Sequence, residues 1–240
     1  MNKGAIDRRL FALGSSALAM SLTAACTGPN GANGFAASLT GDGDKKEKDV
    51  VLKADGTPEL ADLMKPGPLG EKTMGSPTAP VTIIEYASLT CPYCRAFHAQ
   101  TWPTLKRDYI DKGKVHYILR EFPIGHTSGA ATIAMRCLGQ TDNARFFDLY
   151  DKFMNQQKKW VSLEVRRDKI YKIVVNSNVS RAEFDACYDN KDILDGLKWV
   201  KQRGRTLGVS GTPTFFINGQ KARSVLTIED IKRMAAPHLS

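Results

Sequence analysis

Apolar and polar positions repeat with two different periods along this chain, and the switches between them lay out its elements. Val81-Thr82-Ile83-Ile84-Glu85-Tyr86-Ala87 has the β-branched and aromatic content of a largely buried strand. From Cys91 the period lengthens, and Phe97, Trp102, Leu105, Tyr109 and Ile110 fall on roughly one face of a helix. Pro103 lies inside that run and is expected to kink or split it, because proline lacks the N–H and crowds the preceding turn. Lys112-Gly113 ends the pattern, and a second strand is predicted from Val115 to Phe122, closed by Pro123. Between about Ser128 and Leu207 the period is helical. Lys172-Ile173-Val174-Val175 is the one stretch there with the content of a strand. The last helix of this block ends at Gly208, a natural C-terminal cap. Thr214-Phe215-Phe216-Ile217, the turn Asn218-Gly219 and a short strand through Val225 read as a hairpin. Thr227-Ile228-Glu229-Asp230 then opens a closing helix.

In order this is strand, helix, strand, a long helical block, hairpin and helix. A β-α-β unit followed by a β-β-α unit is the thioredoxin arrangement. The expected fold class is therefore α/β: a thioredoxin fold with an inserted helical domain. Its first part is expected over 76–127, the helical insertion over 128–207 and the second part over 208–240.

The segment before residue 76 reads differently. Lys3, Arg8 and Arg9 precede an uncharged apolar stretch, Leu10 to Ala25, too short for a comfortable membrane span. That is the pattern of an export signal over residues 1–25. The stretch ends in Leu22-Thr23-Ala24-Ala25-Cys26, which resembles a bacterial lipobox and marks Cys26 as a lipidation candidate; simple cleavage at a small-residue site is the alternative. Asp7-Arg8-Arg9-Leu10-Phe11 also resembles a twin-arginine signal, so a Sec or a twin-arginine route is open. Residues 26–75 are expected to be a flexible tether holding a short helix, with Thr57 as its cap and Pro58 in its first turn.

The net charge of +9 alters this picture little, because the cations are interleaved with acids and run together only in short pairs such as Lys158-Lys159 and Arg166-Arg167. A solvated basic surface accounts for them, and no nucleic-acid partner is expected. With 42% hydrophobic and 25% charged residues the composition is that of an ordinary globular domain.

The candidate chemistry sits where the first strand meets the first long helix. Cys91-Pro92-Tyr93-Cys94 has Cys-x-x-Cys spacing, and the first N–H groups of a helix lack internal partners and carry partial positive charge. A thiolate at Cys91 would be stabilised there, which makes it both a nucleophile and a good leaving group. Pro92 suits the first turn, where its missing N–H is not needed. Cys94, one turn further in, is placed to resolve a mixed disulfide. A half zinc site would need two more ligands at close spacing, and an inert structural disulfide is the other alternative; neither metal nor cofactor is expected. Ser210-Gly211-Thr212-Pro213-Thr214 leads into an apolar strand, a place where a cis X–Pro bond can be used, with a trans bond as the alternative from sequence alone. Glu85, on the apolar strand, is either on a wet face or buried; if buried, its pKa rises and it can exchange a proton with Cys94. His98 reads as an amphipathic filler of the helix, and His126 and Trp160 are candidates for a substrate groove without support from their spacing.

Val81 to Arg95, Arg120-Glu121-Phe122-Pro123, and Gly208-Val209-Ser210-Gly211-Thr212-Pro213-Thr214-Phe215 together resemble the DsbA family of bacterial envelope thiol:disulfide oxidoreductases, and its alphaproteobacterial members most. The resemblance covers roughly residues 64–237. It implies that Cys91 attacks, Cys94 resolves, Glu85 is the buried acid, and Thr212-Pro213 is a cis-proline loop that pairs with a substrate segment. Tyr93 stands where the best-known members of the family carry His, so strength as an oxidant is not implied. Some relatives hold a second disulfide in the helical domain, which for this chain means Cys137–Cys187; two separate buried thiols are the alternative.

The function expected on these grounds is exchange of the Cys91–Cys94 disulfide with exported, cysteine-containing proteins bound as peptide segments, in the periplasm. An oxidase reoxidised by a membrane partner of DsbB type is the leading reading, and a monomer is expected. A reductase or isomerase is the alternative, and a non-catalytic peptide-binding envelope lipoprotein is an alternative of another class.

Overall fold

The structure, a computed structural model, describes residues 53–54, 56–222 and 225–239. The export signal and Cys26 lie outside the described residues.

Five strands form one mixed sheet in the order β1-β3-β2-β4-β5: β1 (Lys72–Met74), β2 (Val81–Ala87), β3 (Val115–Glu121), β4 (Thr214–Ile217) and β5 (Gln220–Ala222). Central β2 runs parallel to β3 and antiparallel to β4, so its backbone is paired on both sides. Its alternation sorts side chains to two cores. Ile84 and Tyr86 join Ile118, Phe122, Leu207, Val209 and Phe216 on one face. Val81, Ile83 and Ala87 join the larger cluster on the other, and Glu85 follows their parity.

Helix α1 (Leu60–Met64) precedes β1. Helix α2 (Pro92–Gln100) follows β2 and stops at Thr101; α3 (Trp102–Leu105) restarts with Pro103 in its first turn and passes into a π-helical turn, Lys106–Ile110. The expected split at Pro103 is thus made just before it, where the proline's missing N–H falls at a helix start. The insertion between β3 and β4 is all helical. It comprises α4 (Gly125–Leu138), α5 (Asn143–Asn155), α6 (Gln157–Trp160), α7 (Arg167–Val174), α8 (Arg181–Ala186) and α9 (Lys191–Thr206). After β5, α10 (Ile228–Ala235) is capped reciprocally by Thr227 and Asp230. Gly208 and the turn residues Asn218 and Gly219 have positive φ, as their expected roles require.

Three expectations need correction. The strand-like run Lys172-Ile173-Val174-Val175 falls in α7 and the turn after it, because Ile170, Ile173 and Val174 form a buried helical stripe that outweighs their β-propensity. The short helix begins at Leu60 with Glu59 as its N-cap and no side-chain cap, so Thr57 and Pro58 do not start it. The later part of the expected tether is built into the fold: Leu63 is fully buried under the sheet, and Lys72–Met74 pairs with β3 as an edge strand. Lys72 sends its amine to the carbonyls of Gly139 and Gln140 at the end of α4, a tertiary partner that local pattern does not reveal.

Candidate active site

Cys91 is the N-cap residue of α2, with extended backbone (φ −73°, ψ 122°), and Pro92 occupies the first turn. A tight turn sets it there, closed by the Cys91 N–H donating to Ser88 O at 3.0 Å. The Ser88 and Ser128 hydroxyls, 2.8 Å apart, tie that turn to α4. Tyr93 points outward, whereas Cys94 is fully buried beneath Cys91 on the inner side of α2. Both thiols are free.

The facing wall is the loop before β4. Antiparallel pairing puts Thr214 opposite Tyr86, which brings residues 211–213 to the end of β2 from which Cys91 projects. The Thr212-Pro213 bond is cis, and Thr214 Oγ1 donates to Gly211 O at 2.7 Å to close the loop. The Cys91 thiol lies 3.1 Å from the carbonyl oxygen of Thr212 and donates to it. Open grooves flank the loop on both sides. One is lined by Ser210 to Thr214 with Lys221 and Ala222. The other has Ile124, Gly125, Lys201 and Arg205 among its walls.

The two sulfurs are driven apart in acidity. The Cys94 thiol, donating to Cys91, together with the Thr212 side chain and the N–H groups of Cys94 and Tyr93, lowers the Cys91 pKa from 9.0 to about 5 against the opposing effect of partial burial. The contact with the Thr212 carbonyl belongs to the protonated thiol and is lost on ionisation. Cys94 moves the other way, well above its ordinary value, through burial, the Cys91 hydrogen bond and the nearby Glu85 charge.

Glu85 is completely buried, so of its two readings the wet face is excluded. Burial raises its pKa to about 8, against the hydrogen bond that Tyr117 donates to Oε2. Its other oxygen, Oε1, and the hydroxyl of Tyr150 are both buried without a hydrogen-bond partner. Glu85 and Cys94 each push the Tyr150 phenol further above its ordinary value after burial. A carboxyl near neutrality, two phenols and the Cys94 thiol thus share one dry compartment.

A further contact has no signal in the local residue pattern. Gln157, a lone glutamine in the helical insertion, is buried and donates its amide to Leu89 O at 2.8 Å and Cys91 O at 3.0 Å, fastening α6 to the loop that carries Cys91. Tyr117 and Tyr150 were also missed, since a tyrosine in an apolar pattern reads as core. Trp160 does not line a groove: it is fully buried and donates to Phe153 O, because α6 packs its ring inward. His126 is exposed in the first turn of α4. His98 is buried, stacked on Trp102, with Nε2 3.1 Å from Asp151. Cys137, on α4, and Cys187, after α8, are joined in a disulfide, so neither is available as a ligand beside Cys91.

Comparison with known proteins agrees with this arrangement. The sequence model of the thioredoxin family matches residues 69–235. A Rickettsia conorii protein, provisionally named protein-disulfide oxidoreductase, is 31% identical over 153 residues, 62% of this chain and 53% of that one. A Bacillus cereus protein with the name probable disulfide bond formation protein D is 31% identical over 155 residues, 63% and 72% of the two chains. The chain spans less than two thirds of the length of the rickettsial relatives. Among solved structures, Wolbachia pipientis alpha-DsbA1 superposes with a TM-score of 0.69 at 28% identity, covering 75% of this chain and 96% of that one. The chain belongs to the thioredoxin family and, within it, to the DsbA-like members.

Proposed function

We propose that this protein is a thiol:disulfide oxidoreductase that introduces disulfides into cysteine-containing clients, with Cys91 as the exchanging sulfur. One observation carries the reading: the Cys91 sulfur sits at the N-terminus of α2, 3.1 Å from the cis-proline loop, with its pKa lowered to about 5 and a buried high-pKa partner below it.

The cycle starts from the Cys91–Cys94 disulfide. A client thiolate attacks Cys91 Sγ, the Cys91–Cys94 bond breaks, and Cys94 leaves with the electron pair. The buried Glu85 carboxyl, protonated below about pH 8, supplies the proton that Cys94 needs in its dry site. A second client thiolate then attacks the client's own sulfur in the mixed disulfide, and Cys91 departs as a thiolate. The client is oxidised by two electrons and the pair is reduced. Residues Gly211 to Pro213 present backbone to a client segment lying alongside Cys91. A low Cys91 pKa stabilises the reduced product, which favours donation of the disulfide over its acceptance.

Reoxidation requires a partner, and a membrane protein of DsbB type is the proposed one. The Cys137–Cys187 bond supports a location in an oxidising compartment, the envelope. A monomer is proposed.

The test is the Cys91–Cys94 reduction potential. A value near about −120 mV, as in strong oxidants, supports oxidation of clients, and one near about −270 mV shows a reductant instead.

A further inference from the structure

The two basic pairs, Lys158-Lys159 and Arg166-Arg167, are brought by the fold to either side of one loop, residues 161–166, that joins α6 to α7. At its tip Leu163 is fully exposed, with a relative accessibility of 104%. Lys158, Lys159 and Arg166 are exposed around it, and Glu164 is the one acid between them. This loop belongs to the face that carries Cys91. Thr127 Oγ1 donates to Ser162 O at 2.9 Å, and Gln157 at the root of α6 holds the Cys91 carbonyl. Thr127 is one turn from Ile124, whose carbonyl is reached by the Thr90 hydroxyl beside Cys91. Tyr93 and Ile124, at 62% and 48%, are with Leu163 the three most exposed large apolar side chains among the described residues. All three lie on this one end of the molecule.

We propose that this end is an interfacial docking surface for an anionic lipid bilayer, with Leu163 entering the headgroup boundary and Lys158, Lys159 and Arg166 pairing with lipid phosphates. Isolated exposed apolar side chains are ordinary, but the most exposed ones gathered on one end are not. Leu163 stands fully exposed and lines neither of the grooves beside the cis-proline loop, so it is not part of a cleft that would enclose a peptide there. Its surroundings are basic, which complements a negative membrane surface; each basic side chain there contributes on the order of 1 kcal/mol and loses it to salt. One apolar tip with three cations gives weak, reversible, orienting contact rather than stable anchorage. Docked this way, Cys91 would face the membrane, where a membrane-bound redox partner would meet it. The inference does not depend on the direction of exchange.

The experiment uses the full chain carrying Leu163→Trp, read by tryptophan emission and by quenching with brominated lipid, against the unsubstituted chain as background. Vesicles are phosphatidylcholine alone or phosphatidylcholine with phosphatidylglycerol. Emission of the introduced tryptophan is expected to shift to the blue and be quenched on the anionic vesicles only. High salt, or Lys158→Gln with Lys159→Gln and Arg166→Gln, should reduce the apparent affinity at least several-fold. Exchange with a soluble peptide in the absence of vesicles should be unchanged in the same variants, which separates this inference from the catalytic reading. An introduced tryptophan that stays water-exposed on anionic vesicles overturns the proposal. So does an equal response on neutral vesicles, or a response to client peptide and not to lipid, which would make this end a protein-docking surface.

Discussion

Cys91 and Glu85 have pKa values displaced in opposite directions, and the displacement has consequences that can be measured. Cys91 falls from 9.0 to about 5, so between those values the folded reduced protein binds fewer protons than the unfolded chain, and its stability gains with rising pH. Glu85 rises from 4.5 to about 8, so over that window the folded protein holds a proton that the unfolded chain has lost, and stability declines with rising pH. In the reduced protein the two effects oppose each other. In the oxidised protein Cys91 does not titrate and only the Glu85 effect remains. Denaturant unfolding should therefore show the oxidised form losing stability from about pH 5 to pH 8. The advantage of the reduced form should widen across the same range; a gap that does not vary with pH would contradict the Cys91 assignment, and an oxidised form whose stability is flat over that range would contradict the Glu85 assignment. Ultraviolet absorbance of the thiolate in the reduced protein should titrate near pH 5. It should vanish in Cys91→Ser, while Cys94→Ser, whose Cys91 thiolate can attack a disulfide-bonded peptide and displace its other sulfur, should accumulate a mixed disulfide that gel analysis detects.

The contacts between elements decide how that thiolate is held. Helix α6 is a single turn, yet its Gln157 amide bridges two carbonyls of the loop that begins α2. Gln157→Met keeps the bulk and removes both donors, leaving two buried carbonyls unpaired beside the sulfur. The Cys91 pKa should rise and exchange below neutral pH should slow several-fold, whereas Gln157→Asn should restore part of the effect; an unchanged thiolate titration would show that Gln157 only packs. Across α4, Arg136 and Glu121 form an almost fully buried ion pair. Arg136→Ala leaves the carboxylate uncompensated and should cost about 3–5 kcal/mol in unfolding free energy, more than an exposed pair such as Arg181–Asp185 would.

For the whole molecule, the Cys137–Cys187 bond spans a sequence separation of 50 and ties the start of the helical insertion to its later half. In the chain-entropy account its loss costs about 4 kcal/mol. Cys137→Ala with Cys187→Ala should lower the unfolding midpoint of the protein while leaving the Cys91 titration near pH 5, because neither sulfur touches the Cys91 loop. A parallel shift of that titration would mean that the insertion controls the redox site through the disulfide as well as through Gln157.

How much of this was legible beforehand depends on the range of the interaction concerned. Residue order alone placed Cys91 at the junction of a buried strand and a helix and foresaw the hairpin turn at Asn218-Gly219 and the cap at Gly208, since these follow from local backbone sterics and from periods of two and 3.6 residues. It left Glu85 open between a wet face and burial, because period fixes which side of a strand a residue faces but not what covers that side. Only the packed molecule decided that α2 and the insertion seal that face, and hence that the carboxyl titrates near neutrality. Lys72, Gln157 and Tyr150 were silent in the sequence for the same reason: the carbonyls that Lys72 and Gln157 reach, and the His98 ring against which Tyr150 packs, lie tens of positions away along the chain. Burial and long-range hydrogen bonds are properties of the assembled sheet and helices, and no local pattern encodes them.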